Sequence, residues 1–132
     1  MSTNSHLPIA PETERVASNC IDAGFEVHRN LGPGFRERIY QRAFCLELDS
    51  RGLSFECEKP VLVRYKTWEI PGQKVDLIVE GVVLIEIKAI PELKEIHRLQ
   101  TLSYLKTTGL RLGLLMNFNT QLLKQGLKRV VC

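Results

Sequence analysis

The spacing of hydrophobic positions changes character twice along this chain. Over residues 12–28, Val16, Cys20, Ile21 and Val27 recur at near-helical intervals, which predicts an amphipathic helix. The turn built on Gly32, Pro33 and Gly34 ends it. A second helix is expected over residues 35–50. Ile39, Ala43 and Leu46 would form its buried stripe, Tyr40, Phe44 and Leu48 would widen it, and Gly52 would stop it. The pattern then turns to β. Residues 55–65 are rich in Val, Phe and Tyr and read as a strand that Pro60 confines to an edge or a bend. Residues 68–70 read as a short strand before a turn at Pro71-Gly72, and residues 75–79 and 82–88 as a strong hairpin. Pro91 is expected to open a third helix that runs to about residue 107 and ends at Gly109. Residues 110–118 are apolar enough for a buried strand, and residues 127–131 give a last one.

This order predicts an α/β protein of the α+β kind, a mixed sheet with helices on its faces. The strand–helix–strand run from residue 82 to 118 suggests a parallel, right-handed crossover. Residues 1–11, polar and broken by prolines, are expected to be a flexible tail or docking arm, with residues 12–132 as one domain. The hydrophobic fraction of 44% and charged fraction of 25% are ordinary for a globular protein. The net charge of +3 permits a basic surface without demanding a nucleic-acid partner. The cysteines, Cys20, Cys45, Cys57 and Cys132, form no CxxC pair and no zinc pattern. With no leader and no apolar run near the ~18 residues of a membrane helix, the expectation is a cytoplasmic protein with reduced thiols and no membrane contact.

Charges inside the hairpin carry the chemistry. Asp76, Glu86 and Lys88 stand among Leu77, Ile78, Val79 and Val82–Ile85, where a charge is costly unless something pairs it. Alternation puts Glu86 and Lys88 on one face of their strand. A two-residue loop, Glu80-Gly81, would set Asp76 opposite Ile85 on the other face. A three-residue loop, Val79-Glu80-Gly81, would set it opposite Leu84, a same-face diagonal neighbour of Glu86. Gly81 suits the left-handed last position of the longer loop. Two facing carboxylates repel and raise a pKa unless a cation lies between them. Oxygen ligands favour Mg²⁺, with Mn²⁺ as a workable substitute. The plain alternative is a solvated Glu86/Lys88 pair worth under ~1 kcal/mol.

The stretch Gly34-Phe-Arg-Glu37-Arg-Ile-Tyr40 fits a G-x-x-E-x-x-Y pattern. Together with EVHRNLGPG, VDLIVEGVVLIEIKA, HRLQTLSYLKTTGLRLGLLMNFN and the closing LKRVV, it resembles the GxxExxY protein family of the PD-(D/E)XK nuclease superfamily, over nearly all of the chain from Glu12. The resemblance implies a restriction-endonuclease-like core. It also implies that Asp76 and Glu86 are metal ligands, that Lys88 is the catalytic lysine, and that Glu37 is an additional helix acid at the metal. Val75 stands where the superfamily motif has proline. Gln100 and Tyr104, four apart on the third helix, resemble the Q-x-x-x-Y motif of RecB-like nucleases and would position substrate. Without the resemblance, Glu37 reads as a helix-start acid, and Gln100 and Tyr104 as helix packing.

The implied function is metal-dependent hydrolysis of nucleic-acid phosphodiester bonds, with DNA ahead of RNA as substrate. The alternative is a non-catalytic module that keeps the fold and binds nucleic acid or protein. A homodimer or larger assembly fits a domain of this size. His97 lies at the edge of the Gln100 face. His28 and Arg29 read as surface or helix-end charge. Lys94, Arg98, Lys106, Arg111, Lys124, Lys128 and Arg129 read as a phosphate-facing patch or as scattered solvated charge, and the lone Trp68 as packing.

Overall fold

The computed structural model describes residues 7–132. Helices α1 (Pro11–Leu31) and α2 (Glu37–Ser50) precede strands β1 (Phe55–Tyr65), β2 (Trp68–Val79) and β3 (Val83–Lys88). Helix α3 (Glu95–Thr108), β4 (Leu112–Asn117), a short 3-10 turn (Leu123–Gly126) and β5 (Leu127–Val131) follow. The five strands lie in the order β1-β2-β3-β4-β5. Every neighbouring pair is antiparallel except β3 and β4, which run parallel across α3 as expected.

The sheet is covered on both faces because its central strands are apolar on both. Leu77, Val79, Val83, Ile85 and Ile87 pack with Val16, Cys20, Tyr40, Phe44 and Leu48 of α1 and α2. Ile78 and Leu84 pack with Tyr104 and Leu105 of α3. All six residues of β4 are buried, the near-continuous apolar run that a parallel strand covered on both faces requires. Close packing at α3 also explains Gly113: a Cβ there would stand 3.0 Å from the Thr101 methyl.

Several boundaries and faces differ from the sequence expectation. The buried stripe of α2 is Tyr40, Phe44, Cys45 and Leu48, while Ile39 and Leu46 are exposed. Both stripes have helical spacing, so periodicity alone could not choose between them. Pro71-Gly72 makes no turn. β2 runs straight through it, and the extra residue is absorbed by a register shift between Val61 and Val63. Helix α3 begins at Glu95, four residues after Pro91. The residue before that proline is held by Asn117, whose Oδ1 accepts from Ile90 N–H (3.1 Å) and whose Nδ2 donates to Ile90 C=O (3.0 Å). Of the expected tail, residues 1–6 lie outside the described residues. Leu7 and Pro8 are held by their carbonyls, which accept from the Arg111 guanidinium.

Tyr40 fixes the entry to α2. Its ring is fully buried and stacks on Phe118 with centroids 4.8 Å apart. Its hydroxyl donates to Gly32 C=O at 2.6 Å and accepts from Phe35 N–H at 3.1 Å. The tyrosine of the G-x-x-E-x-x-Y pattern thus pins the loop in which Gly34 adopts a φ of 109°, conformational space that only glycine enters freely. Tyr40→Phe keeps the ring and strands both loop groups. It should lower stability by about 1–2 kcal/mol in urea titration. An unchanged midpoint would show that water replaces the hydroxyl at no cost.

Candidate functional site

The β2–β3 hairpin turns through Glu80, Gly81 and Val82, with Val79 registered against Val83. Glu80 and Gly81 both have positive φ (53° and 69°), and Val82 N–H donates to Val79 C=O at 3.0 Å. The loop has three residues, as Gly81 suggested, but it lies one residue further along. In this register Asp76 falls directly opposite Glu86 rather than diagonal to it. The shared face is as expected, and the two acids are closer.

The ladder stops just short of them. The last registered pair is Leu77↔Ile85, and β2 and β3 separate beyond it. On its other side β2 is also irregular. Glu58 has a φ of 54°, and the register passes from Cys57↔Leu77 to Lys59↔Val75. The buried face changes at this step: Leu77 packs under α1 and α2, whereas Val75 packs with α3. Asp76 occupies the step.

Each carboxylate satisfies the backbone of the opposite strand where the ladder fails. Asp76 Oδ2 accepts from Ile87 N–H at 2.8 Å, and Glu86 Oε2 accepts from Asp76 N–H at 2.9 Å. Asp76 Oδ1 and Glu86 Oε1 take no hydrogen bond. Among the described residues no buried side-chain polar atom lacks a partner, so these two oxygens open to solvent. Glu86 itself is only 4% exposed. Burial first, and the facing Asp76 second, push its pKa up to about 8. Burial also raises the Asp76 carboxyl, against the Ile87 N–H and the Lys88 ammonium that lower it.

Lys88, two residues beyond Glu86, donates from Nζ to Gln100 Oε1 at 3.1 Å. Gln100 also hydrogen-bonds Tyr104, whose hydroxyl accepts from Gln73 Nε2 at 2.7 Å. A polar chain therefore runs from Lys88 through Gln100 and Tyr104 to Gln73 on β2. Its helical members are the two residues of the Q-x-x-x-Y pattern. Glu37 stands exposed at the first turn of α2. Burial of its carboxyl raises its pKa, Asp76 adds to the rise, and Lys88 opposes it, so Glu37 lies within electrostatic reach of both.

The fork brings Asp76, Glu86 and Lys88 together, with Gln100 and Tyr104 behind the lysine and Glu37 at the rim. Three contributors were not legible from sequence. Gln73 lay in a stretch read as the exit of a turn. Glu58 accepts from Gln41 Nε2 (3.1 Å) and pairs with Lys74 (3.5 Å), and its charge acts on Asp76 and Glu37. Asn117, registered against Lys88, ties down the chain that leaves β3. A polar residue closing an apolar strand was the available signal for Asn117; Gln73 and Glu58 gave none.

Other candidates lie elsewhere. His97 Nδ1 accepts from Lys94 N–H and caps α3. His28 is buried within α1, with Nε2 2.8 Å from Thr120 C=O, and is not surface charge. The basic residues are dispersed: Arg98 pairs with Glu95, and Arg129 with Glu14. Trp68 is 62% exposed and packs into no core.

Among the described residues, no three His, Cys, Asp or Glu side chains stand close enough to hold a metal ion. The donor set at the fork is therefore two carboxylates. Magnesium commonly takes one or two protein carboxylates and keeps several waters. The open oxygens of Asp76 and Glu86 suit that ion, and Glu37 would meet it through water.

A mixed sheet flanked by helices, with acids at a strand fork and a lysine beside them, defines a restriction-endonuclease-like α+β core. A family model described as the PD-(D/E)XK nuclease superfamily matches residues 14–130, and the chain belongs to that superfamily. Its members usually use divalent metals. Neither the curated proteins nor the solved structures gave a match. No helix among the described residues is long and apolar enough to cross a membrane.

Because Glu86 holds its proton to about pH 8 when folded and only to the ordinary carboxyl value of 4.5 when unfolded, the native state binds more protons than the unfolded state between those values. Metal-free stability should therefore fall as pH rises through that window and level off above it. Glu86→Gln keeps an acceptor for Asp76 N–H and removes the buried charge. It should flatten this dependence and stabilise the metal-free protein at pH 8 by about 1–3 kcal/mol, read by thermal unfolding in EDTA. A wild-type curve that does not decline from pH 5 to 8 would refute the assignment.

Proposed function

We propose that this protein is a metal-dependent nuclease that hydrolyses phosphodiester bonds in DNA. The observation that carries this reading is the fork. Two carboxylates face each other there with one free oxygen each, and the neighbouring lysine is oriented by an amide from α3. In this reading Asp76 and Glu86 hold Mg²⁺, or Mn²⁺ in its place, and Glu37 orders a water in its shell. When bound, the ion supplies charge stabilisation to the phosphodiester and makes a coordinated water more acidic.

The protein's own residues do the rest. Lys88, held by Gln100, orients the attacking water or neutralises the charge that builds on the phosphate. Tyr104, anchored by Gln73, keeps the Gln100 amide in place. The Ile87 and Asp76 N–H groups fix one oxygen of each carboxylate, so the other points where a cation can use it. The Gly34–Glu37–Tyr40 pattern supports the narrower membership in the GxxExxY family, with residues 12–132 acting as one catalytic unit. A cytoplasmic setting suits the four free thiols.

The test is cleavage of single- and double-stranded DNA and RNA with Mg²⁺ or Mn²⁺. Asp76→Asn, Glu86→Gln and Lys88→Ala should each lower cleavage by at least about a hundredfold. Gln100→Ala, which only frees the lysine, should cost about tenfold. Calorimetry should show that metal affinity increases up to about pH 8, as Glu86 loses its proton. Cleavage that survives both Glu86→Gln and Lys88→Ala would overturn the proposal. Metal uptake without cleavage of any of the substrates would favour the non-catalytic binding module.

A further inference from the structure

The half of β2 that never meets β3 has its own chemistry. Beyond the fork, β1 and β2 continue as a two-stranded ribbon. Near its tip the cross-strand pairs Val63↔Ile70 and Tyr65↔Trp68 share one face by alternation, and all four side chains are exposed, Trp68 at 62% and Tyr65 at 53%. The two rings stack with centroids 6.2 Å apart and planes 19° from parallel. The Lys66 ammonium lies 5.3 Å from the Tyr65 centroid, whereas Arg64 alternates to the other face, opposite Glu69. Such a patch on a projecting ribbon marks a contact surface.

We infer that the ribbon tip is a stacking platform for single-stranded nucleic acid that feeds the fork, with bases packing on Trp68 and Tyr65 and phosphates held by Lys66. This inference rests on the nuclease reading above and adds a substrate class to it. Flat exposed rings beside a cation meet both halves of a nucleotide, the base face and the phosphate, and tolerate any sequence. Paired bases inside a duplex hide the faces the rings would use.

The platform is also continuous with the site. Five residues further along β2, about 16 Å at strand rise, Gln73 holds the Tyr104 hydroxyl and through it Gln100 and Lys88. Lys59 and Lys74, nearer the fork, are already paired with Glu56 and Glu58. Among the described residues, no ion pair engages Lys66.

Trp68 is the only tryptophan in the chain, so its emission reports on the tip alone. In EDTA, where no cleavage occurs, a single-stranded dodecanucleotide should quench it in a saturable, salt-sensitive manner. The duplex of the same sequence should bind several-fold more weakly. Tyr65→Ala and Lys66→Ala, which leave the fork intact, should each weaken single-strand binding about tenfold. Glu86→Gln should quench as the wild type does. A labelled oligonucleotide that binds without changing Trp68 emission, or that binds Tyr65→Ala as tightly as wild type, would overturn the inference even if the enzyme cleaves DNA. An emission shift that follows protein concentration without oligonucleotide would identify the ribbon as a contact between copies and would also overturn it. Quenching without cleavage would leave the platform standing and remove the nuclease reading.

Discussion

The structure depends on a reciprocal exchange at the point where β2 and β3 part. A strand leaving its ladder exposes N–H groups, and each one left buried and unpaired costs about 1–3 kcal/mol. A carboxylate entering an apolar hairpin is costly as well. Here the two problems offset each other. Asp76 accepts the N–H of Ile87, Glu86 accepts the N–H of Asp76, and each strand's acid caps the other strand's frayed backbone. The fork is stable because acids stand there, and the acids fit because the ladder ends there. The remaining cost is the burial of the Glu86 carboxyl and, second to it, the facing Asp76, and together they make Glu86 hold its proton to about pH 8. A cation placed between the free oxygens would offset both.

The rest of the molecule positions this exchange. β3 is paired along its whole length with a fully buried β4, which fixes the backbone of Glu86 and Lys88. Helix α3 lies over the same face and brings Gln100 to Lys88. Asn117 clamps Ile90 and so sets the path by which the chain climbs from β3 into α3. On the opposite face, Tyr40 fastens the loop before α2, and that loop decides where Glu37 begins its helix. Helices α2 and α3 thus bring Glu37 and Gln100 to the margin of the fork, and their apolar sides hold them there by packing.

What could be read in advance divides along physical lines. Strong periodicity anticipated the three α-helices and strands β1, β3, β4 and β5, with β1 and β5 to the residue, because apolar alternation bounded by turn residues is a local signal; β2 was read as two strands and the 3-10 turn as a link. The face shared by Asp76 and Glu86 was legible from Gly81, whose positive φ favours a three-residue turn. Their direct opposition was not, because Glu80 also adopts a positive φ and moves the turn by one residue. Pro71-Gly72 resembles a turn in every local respect, yet the pairing with β1 absorbs it as a bulge. Trp68 looked like a core residue because tryptophan usually is one. Only the topology, which leaves that stretch without a covering helix, shows it to be exposed. Gln73 and Glu58 join the site through contacts between distant elements, and a single sequence carries no trace of such contacts.

The proportions of β2 connect its two unusual regions. The strand has twelve residues and β3 has six, yet only Leu77, Ile78 and Val79 of β2 are registered with β3. The rest of β2 pairs with β1 alone. A sheet that needed only to close its core could end β2 at the fork, because the buried apolar residues of this strand, Val75 and Leu77–Val79, cluster there. The overhang instead continues past the core with β1, exposes Val63, Tyr65, Trp68 and Ile70 on one face and remains a two-stranded ribbon, a form that gains little stability by itself. It is joined to the fork by Gln73, whose partner Tyr104 feels the charges of both Glu86 and Asp76. β2 therefore carries both a half-buried acid that faces Glu86 and an exposed tryptophan stacked on Tyr65 of β1. In the reading proposed above, a single extended polyanion with stackable bases, lying along β2 with a cation at the fork, would engage both.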